Sequence, residues 1–204
     1  MHSEDSLRDR LVDVGVELVL TEGVSSLGLR EIARRAGVSH GAPRRYFPTH
    51  QALLSAIARR GFADLAARFA EAADGAAPPR ERLLALAGAY VRYAQERPGM
   101  FALMFRHDLL RGEARAAGGP PLREASLPLF GLLVELITRC DARRKVPAEV
   151  TAVALWANVH GIAELWGWGG IGLALGEEDP APGGDRLDRL IATVVDAHLG
   201  EADA

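Results

Sequence analysis

Cysteine and lysine are almost absent from this chain of 204 residues. Its one cysteine, Cys140, excludes a disulfide framework and fits the reducing cytoplasm, and we interpret it as a filler of a core or an interface. Lys145 is the one lysine among 24 basic side chains, so almost every positive charge is a guanidinium. The first residues are polar and acidic, and they lack the basic and then apolar pattern of a signal peptide. These features predict a cytoplasmic protein.

The motifs of common enzyme classes are also missing. The sequence has no glycine-rich phosphate loop, no Cys-x-x-Cys motif and no nucleophile elbow. His160 and Glu164 are four residues apart, a spacing that can hold a metal ion or an acid–base pair on one helix face. A third ligand is not evident, so we interpret the two residues as a buried hydrogen-bonded pair or as a polar anchor for a ligand. We expect no enzymatic activity, no metal and no cofactor.

One long apolar stretch, from Val150 to Gly176, contains a single charged side chain, Glu164. Asn158 and His160 lie near this charge. An acidic side chain in the middle of a membrane-spanning helix costs about 2.5–3.5 kcal/mol, so we reject a membrane span. The stretch is expected to form a buried helix that begins at Pro147.

The segment from Leu29 to Phe47 has the pattern of two short helices joined by a tight turn. Small and apolar residues recur at helical spacing in the first helix, at positions 29, 32, 33 and 36. Gly37 follows at the point where a helix end favours a positive φ, and Ser39 is expected to cap the next helix with its side chain. This is the pattern of a helix-turn-helix, whose second helix enters the major groove of DNA.

Arginine is concentrated around this helix-turn-helix. Seven arginines and one acid, Glu31, lie between Arg30 and Arg60, so the local net charge is 7 − 1 = +6 in a chain whose net charge is −3. Neutralisation of phosphates supplies most of the non-specific affinity of proteins for DNA. The charge therefore favours DNA binding over a solvated helical hairpin that binds nothing.

Residues 10–54 resemble the N-terminal domain of TetR-type (tetracycline-repressor-like) transcriptional regulators. The matching pieces are, in order, Glu-Gly-Val at 22–24, Arg-Glu-Ile-Ala at 30–33, Ala-Gly-Val-Ser at 36–39, Tyr-Phe-Pro at 46–48 and Ala-Leu-Leu at 52–54. The resemblance implies an all-α homodimeric repressor. We expect a three-helix helix-turn-helix DNA-binding domain over residues 1–48 and a helical ligand-binding and dimerisation domain over residues 49–204.

The chain departs from the family pattern at positions that normally hold phosphates. It has Ala42-Pro43-Arg44 where the family usually has Thr-Leu-Tyr, and His50 where the family usually has lysine. Arg44 and Arg45 can take over contacts to phosphate or guanine because guanidinium groups fit both, whereas His50 would be a weaker, pH-dependent phosphate contact. The residues predicted to contact DNA are Arg30, Ser39, His40, Gly41, Ala42, Arg44, Arg45, Tyr46 and His50.

Apolar periodicity predicts further helices over about 5–21, 49–73, 80–96, 122–142 and 185–199. Pro128 should cause a kink in the fourth of these, or a later start near residue 126. Two of the helices in each chain, the one after Pro147 and the last one, can form a four-helix bundle across a twofold axis. The residues predicted for dimerisation are Val153, Trp156, Leu187, Leu190, Ile191 and Val194.

A dense apolar cluster at 100–105 falls where the resembled family lines its ligand cavity, although an ordinary core is an equal alternative. Trp156, His160, Gly161 and Trp166 are similar to the tryptophan–histidine–glycine pattern of one C-terminal subfamily. The residues predicted to contact an effector are Met100, Phe101, Met104, Phe105, Trp156, His160, Glu164 and Trp166.

The predicted function is a ligand-responsive repressor that binds a palindromic operator as a homodimer and is released by a small lipophilic or aromatic effector. Two alternatives stay open. Pro43 and the missing lysine allow a helical ligand-binding or protein-interaction module whose DNA-reading unit has decayed. An enzyme built on His160 and Glu164 would require a bound metal.

Overall fold

The computed structural model describes residues 2–73, 75–106, 121–140, 145–174, 176 and 184–200. This part of the chain contains ten α-helices and no β-strand, which confirms the all-α prediction. The helices are α1 His2–Glu22, α2 Leu29–Arg35, α3 Pro43–Tyr46, α4 His50–Ala72, α5 Pro79–Glu96, α6 Pro98–Phe105, α7 Arg123–Cys140, α8 Ala148–Gly167, α9 Gly170–Ala174 and α10 Gly184–Leu199. A short 3-10 turn, Val24–Ser26, lies between α1 and α2.

The long helices lie where the hydrophobic periodicity predicts them. Helix α7 runs without interruption from Arg123 to Cys140 and contains Pro128, so the later start near residue 126 does not occur. Pro98 occupies the first turn of α6, where its missing N–H has no helical partner to lose.

The chain forms two compact units. Unit 1 comprises residues 1–64 and 97–126, and unit 2 comprises residues 65–96 and 127–204. The boundary that we predicted after residue 48 falls inside unit 1, because the first part of α4 and the whole of α6 belong to the same unit as α1–α3. The functional division at residue 48 stays a prediction.

Helix α6 packs closely against two other helices of unit 1. A Cβ atom on Gly61 of α4 would lie 2.7 Å from Sδ of Met104 on α6. A Cβ atom on Gly99 of α6 would lie 2.3 Å from the backbone oxygen of Val19 on α1, a group that cannot move aside as a side chain can. Only glycine therefore fits at position 99. The core of unit 1 also includes the fully buried residues Leu11, Leu18, Ile32, Ala33, Leu53 and Ile57.

Unit 2 is built on helices α5, α8 and α10, which pack against one another. The opposite side of α8 is open in the single chain, where it carries Val150, Val153 and Leu165, each about half exposed. Trp168, directly after α8, is 75% exposed. The predicted burial of this helix is therefore confirmed for one side in the single chain, the side that α5 and α10 cover. None of the helices in the described part of the chain combines the length and the hydrophobicity of a membrane-spanning segment.

Polar contacts connect α10 to the other helices of unit 2. The Arg80 guanidinium of α5 pairs with Asp196 and donates to the Gly200 carbonyl oxygen at 2.8 Å. The side-chain nitrogen Nδ2 of Asn158, on α8, lies 2.7 Å from Nε2 of His198. These contacts hold the last helix of the chain in place on unit 2.

Candidate nucleic-acid interface

Two backbone hydrogen bonds close the C-terminal end of α2. The Val38 N–H donates to the Ala33 carbonyl at 3.0 Å, and the Gly37 N–H donates to the Arg34 carbonyl at 3.1 Å. Gly37 has a φ of +68°, the left-handed conformation that this Schellman motif requires after a helix. Gly37 therefore has the role that the sequence predicts, and it turns the chain sharply after α2.

Helix α3 begins later than the sequence predicts. Its N-cap is Ala42 and its first residue is the buried Pro43, so the prediction that the Ser39 side chain caps it is wrong. The Ser39 carbonyl instead accepts the Ala42 N–H at 2.9 Å, as in a single turn. Pro43 has no N–H to donate to that carbonyl, so a helix cannot propagate from Ser39. A turn exposing Ser39, His40 and Gly41 leads into a helix of four residues.

The end of α3 is fixed by Phe47, which is buried and donates its N–H to the Pro43 carbonyl at 2.8 Å. The guanidinium of Arg8, on α1, lies 5.2 Å from the centre of the Phe47 ring. This separation is within the range of a cation–π interaction. Helix α3 is thus held at both ends by buried residues.

Several of the predicted positive charges are paired within unit 1. Glu31 accepts hydrogen bonds from Arg34 at 2.6 Å and from Arg35 at 2.7 Å, and Arg35 also pairs with Glu22. The hydrogen bonds from the two arginines lower the pKa of Glu31 to about 2. These two arginines are partly neutralised by acids of α1 and α2, so they contribute less free charge than the sequence count suggests.

The other arginines of the cluster at 30–60 divide into two groups. Arg60 lies 3.6 Å from Asp9 and 3.5 Å from Asp13, and Arg59 is half-buried. Burial, together with the charge of Arg8, lowers the pKa of Arg59. The remaining three are exposed and have no acidic partner in the part of the chain that the structure describes: Arg30, Arg44 and Arg45.

We call the exposed residues of the segment 39–46 the recognition surface. They are Ser39, His40, Gly41, Arg44 and Arg45, and all five are among the predicted DNA contacts. The structure thus brings this part of the predicted set together on one turn and one short helix. Ala42 and Tyr46 are half-buried, and Arg30 is exposed at the start of α2.

The structure gives His50 a role that the sequence did not predict. Its Nε2 atom lies 2.5 Å from the carbonyl oxygen of Leu27, within unit 1. One nitrogen of the ring is therefore engaged inside the protein, and the prediction of a phosphate contact through His50 is not supported for that nitrogen.

A second polar site lies in unit 2, between α5 and α8. The Trp156 indole N–H donates to the Tyr90 phenol oxygen at 3.1 Å, and the phenol lies 2.8 Å from Nδ1 of His160. Burial raises the pKa of Tyr90, so its hydroxyl keeps its proton and is able to donate it. On the other side of the ring, Nε2 of His160 lies 4.0 Å from Oε1 of Glu164.

This geometry corrects our interpretation of His160 and Glu164. The two side chains are partly exposed, and 4.0 Å is too long for a hydrogen bond, so they are not a buried hydrogen-bonded pair. The direct partner of His160 is Tyr90, which is not among the predicted site residues. No sequence pattern links residues 70 positions apart, so this contact had no local signal.

The predicted effector contacts are divided between the two units. Met100, Phe101 and Met104 are buried in unit 1, and the Phe105 ring lies 4.9 Å from that of Phe101. The predicted contacts on α8 all belong to unit 2: Trp156, His160, Glu164 and Trp166. Within the described residues there is no group of three side chains of the types that bind metal.

The predicted dimerisation residues differ widely in exposure. Val153 is exposed, and Trp156, Leu190 and Val194 are half-buried. Leu187 and Ile191 are only 5% and 2% exposed because they belong to the core of unit 2. We therefore remove these two from the surface proposed for dimerisation.

Two sequence-family profiles match the chain. The profile described as "Tetracyclin repressor-like, C-terminal domain" matches residues 83–197, more than half of the chain. The profile described as "Bacterial regulatory proteins, tetR family" matches residues 11–57. The chain belongs to the TetR family. This is a family of bacterial regulatory proteins, and TetR-family regulators are non-enzymatic transcription factors.

Individual TetR-family proteins and related structures resemble the chain to different extents. The HTH-type transcriptional regulator BetI of Rhizobium meliloti (strain 1021) is 34% identical over 108 residues, which are 52% of this chain. The match covers 53% of BetI, so the chain spans about half the length of this relative. A protein of unknown function from Rhodococcus sp. RHA1 is 33% identical, with a TM-score of 0.69 over 95% of this chain and 93% of its own. A bacterial regulatory protein in the tetR family from Rhodococcus RHA1 shares the fold at 18% identity, with a TM-score of 0.68 over 97% and 98% of the two chains.

Proposed function

We propose that this TetR-family regulator is a homodimeric repressor that binds a palindromic operator and leaves it when a small lipophilic or aromatic effector binds. The observation that carries the proposal is the exposure of Arg44 and Arg45 on α3 without an acidic partner among the described residues. They follow directly on a turn with helix-turn-helix geometry. Guanidinium groups in this place can bind guanine edges or phosphates with two parallel hydrogen bonds.

The proposed homodimer uses the open side of α8. Val150, Val153 and Leu165 are about half exposed there, and Trp168 continues the apolar surface after the helix. Covering them with a second copy would remove apolar area from water at about 25 cal/mol per Å². Two copies related by a twofold axis would present two recognition surfaces, which a palindromic operator with half-sites about 34–36 Å apart would match.

The proposed effector is anchored by the hydrogen-bonded side chains of unit 2. Tyr90, Trp156 and His160 combine aromatic faces with oriented polar atoms, and the partly exposed Glu164 lies beside them. An aromatic ligand with one polar group suits such surroundings. Its binding can release DNA only if it favours a conformation of the dimer that the operator does not.

The test is a gel-shift titration with the double variant Arg44→Ala, Arg45→Ala. The duplex is one that the unaltered protein selects from a random pool. We expect the double variant to lose at least tenfold in affinity, since each good arginine contact to a base is worth about 1–3 kcal/mol. The control is Arg92→Ala, which removes an exposed arginine from unit 2 and should leave the affinity unchanged.

Unchanged affinity of the double variant would reject the assignment of Arg44 and Arg45. A failure of the unaltered protein to select any duplex would reject the repressor itself. That second outcome would favour a helical ligand-binding or protein-interaction module, the alternative that Pro43 and His50 leave open.

A further inference from the structure

The hydrogen bond of His50 joins two segments that are 23 residues apart in the chain. His50 is the first residue of α4, and its Nε2 atom lies 2.5 Å from the carbonyl oxygen of Leu27. Leu27 is buried and directly precedes Gly28, the N-cap of α2. The bond therefore connects the beginning of α4 to the beginning of α2, the first helix of the helix-turn-helix.

The chemistry of this contact fixes what the ring can do. A carbonyl oxygen only accepts hydrogen bonds, so Nε2 must carry the proton and donate it. The same N–H cannot at the same time donate to a phosphate in line with it. The residue that replaces the usual lysine is thus used for an internal contact, whereas a lysine at this position would supply a mobile point charge.

The orientation of α3 depends on its two ends, because the helix has only four residues. At its C-terminal end, a full-turn hydrogen bond joins the Phe47 N–H to the Pro43 carbonyl. After Phe47, the Thr49 hydroxyl caps α4 by accepting the Ala52 N–H at 3.1 Å. The segment 47–50 is therefore anchored on α4, and His50 extends that anchor to the start of α2.

We propose that His50 is a positioning residue that holds α2 and α4 in register and so orients the recognition surface for specific DNA, and that it is not a phosphate ligand. The inference rests on the proposed function, because its main measurement is DNA affinity. A loss of the bond should let the start of α2 move relative to α4. Specific binding, which needs several aligned contacts, should suffer more than non-specific binding, which needs only charge.

The experiment compares His50→Ala, His50→Gln and the control Gln51→Ala, an exposed residue in the same helical turn. Each variant is titrated against the selected duplex and a scrambled duplex at several salt concentrations. We expect His50→Ala to bind the selected duplex about fivefold more weakly per half-site, the size of one net hydrogen bond. Its affinity for the scrambled duplex and its salt slope should be unchanged. His50→Gln, whose amide can donate to the same carbonyl without a charge, should restore the affinity.

A phosphate contact would give a different pattern. His50→Ala would then weaken both duplexes equally, and the slope of log K against log salt would fall by about 0.9 for each lost contact. That result, or no effect of His50→Ala on either duplex, would overturn the proposal. Melting curves of both His50 variants show whether any loss of affinity comes from unfolding. If His50→Ala is unfolded, the affinity of His50→Gln for the two duplexes tests the proposal.

A measurement without DNA separates this proposal from the proposed function. The Ile32 N–H donates to the Gly28 carbonyl at 3.0 Å, at the start of α2. Its hydrogen exchange should be faster in His50→Ala than in Gln51→Ala or the unaltered chain. If the unaltered chain selects no duplex, the proposed function fails, and equal exchange rates in the three proteins would then reject the positioning role as well.

Discussion

The hydrogen bonds around Tyr90 allow a quantitative prediction for Tyr90→Phe. This change removes one hydroxyl and keeps the ring, so the Trp156 indole N–H and Nδ1 of His160 each lose a partner. An unpaired buried polar group costs about 1–3 kcal/mol. Both partners are half-buried, so water can replace part of each bond, and we expect a total loss of about 1–3 kcal/mol. For a chain of this size, Tm should fall by about 2–4 °C for each kcal/mol.

The assay is thermal and urea unfolding of Tyr90→Phe, of Trp156→Phe and of the double variant. Because the two side chains share one hydrogen bond, the double variant should lose less unfolding free energy than the two single variants lose together. The difference should be about 0.5 kcal/mol or more. Tyr46→Phe is the control, since the structure shows no partner for that phenol among the described residues. Additive single changes, or a Tyr90→Phe variant as stable as the unaltered chain, would refute the geometry that we assign to this site.

Three further predictions concern the acid stability, the packing and the assembly of the chain. Two arginines lower the pKa of Glu31 to about 2, so the stability from its charge is complete above the ordinary value of 4.5 and is lost as the pH falls towards 2. In melts across that range, the Tm difference between the unaltered chain and Glu31→Gln should therefore shrink, and a constant difference would contradict this. Gly99→Ala brings a Cβ to 2.3 Å from the Val19 oxygen and should cost about 1–3 kcal/mol in urea unfolding, whereas Gly131→Ala, whose Cβ meets nothing within 4 Å, should not destabilise. Equal stability of these two variants would argue against the close contact of α6 with α1. Val153→Asp should produce monomers in light scattering, and a persistent dimer would place the interface elsewhere.

Features that depend on neighbouring residues could be predicted from the sequence. Gly37 ends α2 in the left-handed conformation that its position predicts, because a Schellman motif involves only residues at one end of one helix. The long helices follow from apolar periodicity for the same reason. The start of α3 differs from the prediction because Pro43 has no N–H for the Ser39 carbonyl, and this loss outweighs the capping preference of serine.

Features that depend on distant residues could not be predicted. The partner of His160 is 70 residues away and that of His50 is 23 residues away, so no spacing rule indicates either contact. The charge count around the helix-turn-helix was incomplete for a similar reason, since Asp9 and Asp13 of α1 lie near Arg60 only in the folded chain. Family resemblance predicts the fold and the class of protein, but it does not predict these contacts.

The most direct test of the central claim is the fluorescence anisotropy of a labelled selected duplex at several salt concentrations, with a scrambled duplex alongside. The account predicts tight binding to the selected duplex, weak binding to the scrambled one, and affinities that fall steeply with salt because Arg44 and Arg45 neutralise phosphates or contact bases. Equal, weak binding to both duplexes would contradict the account and leave the recognition surface as an ordinary charged surface.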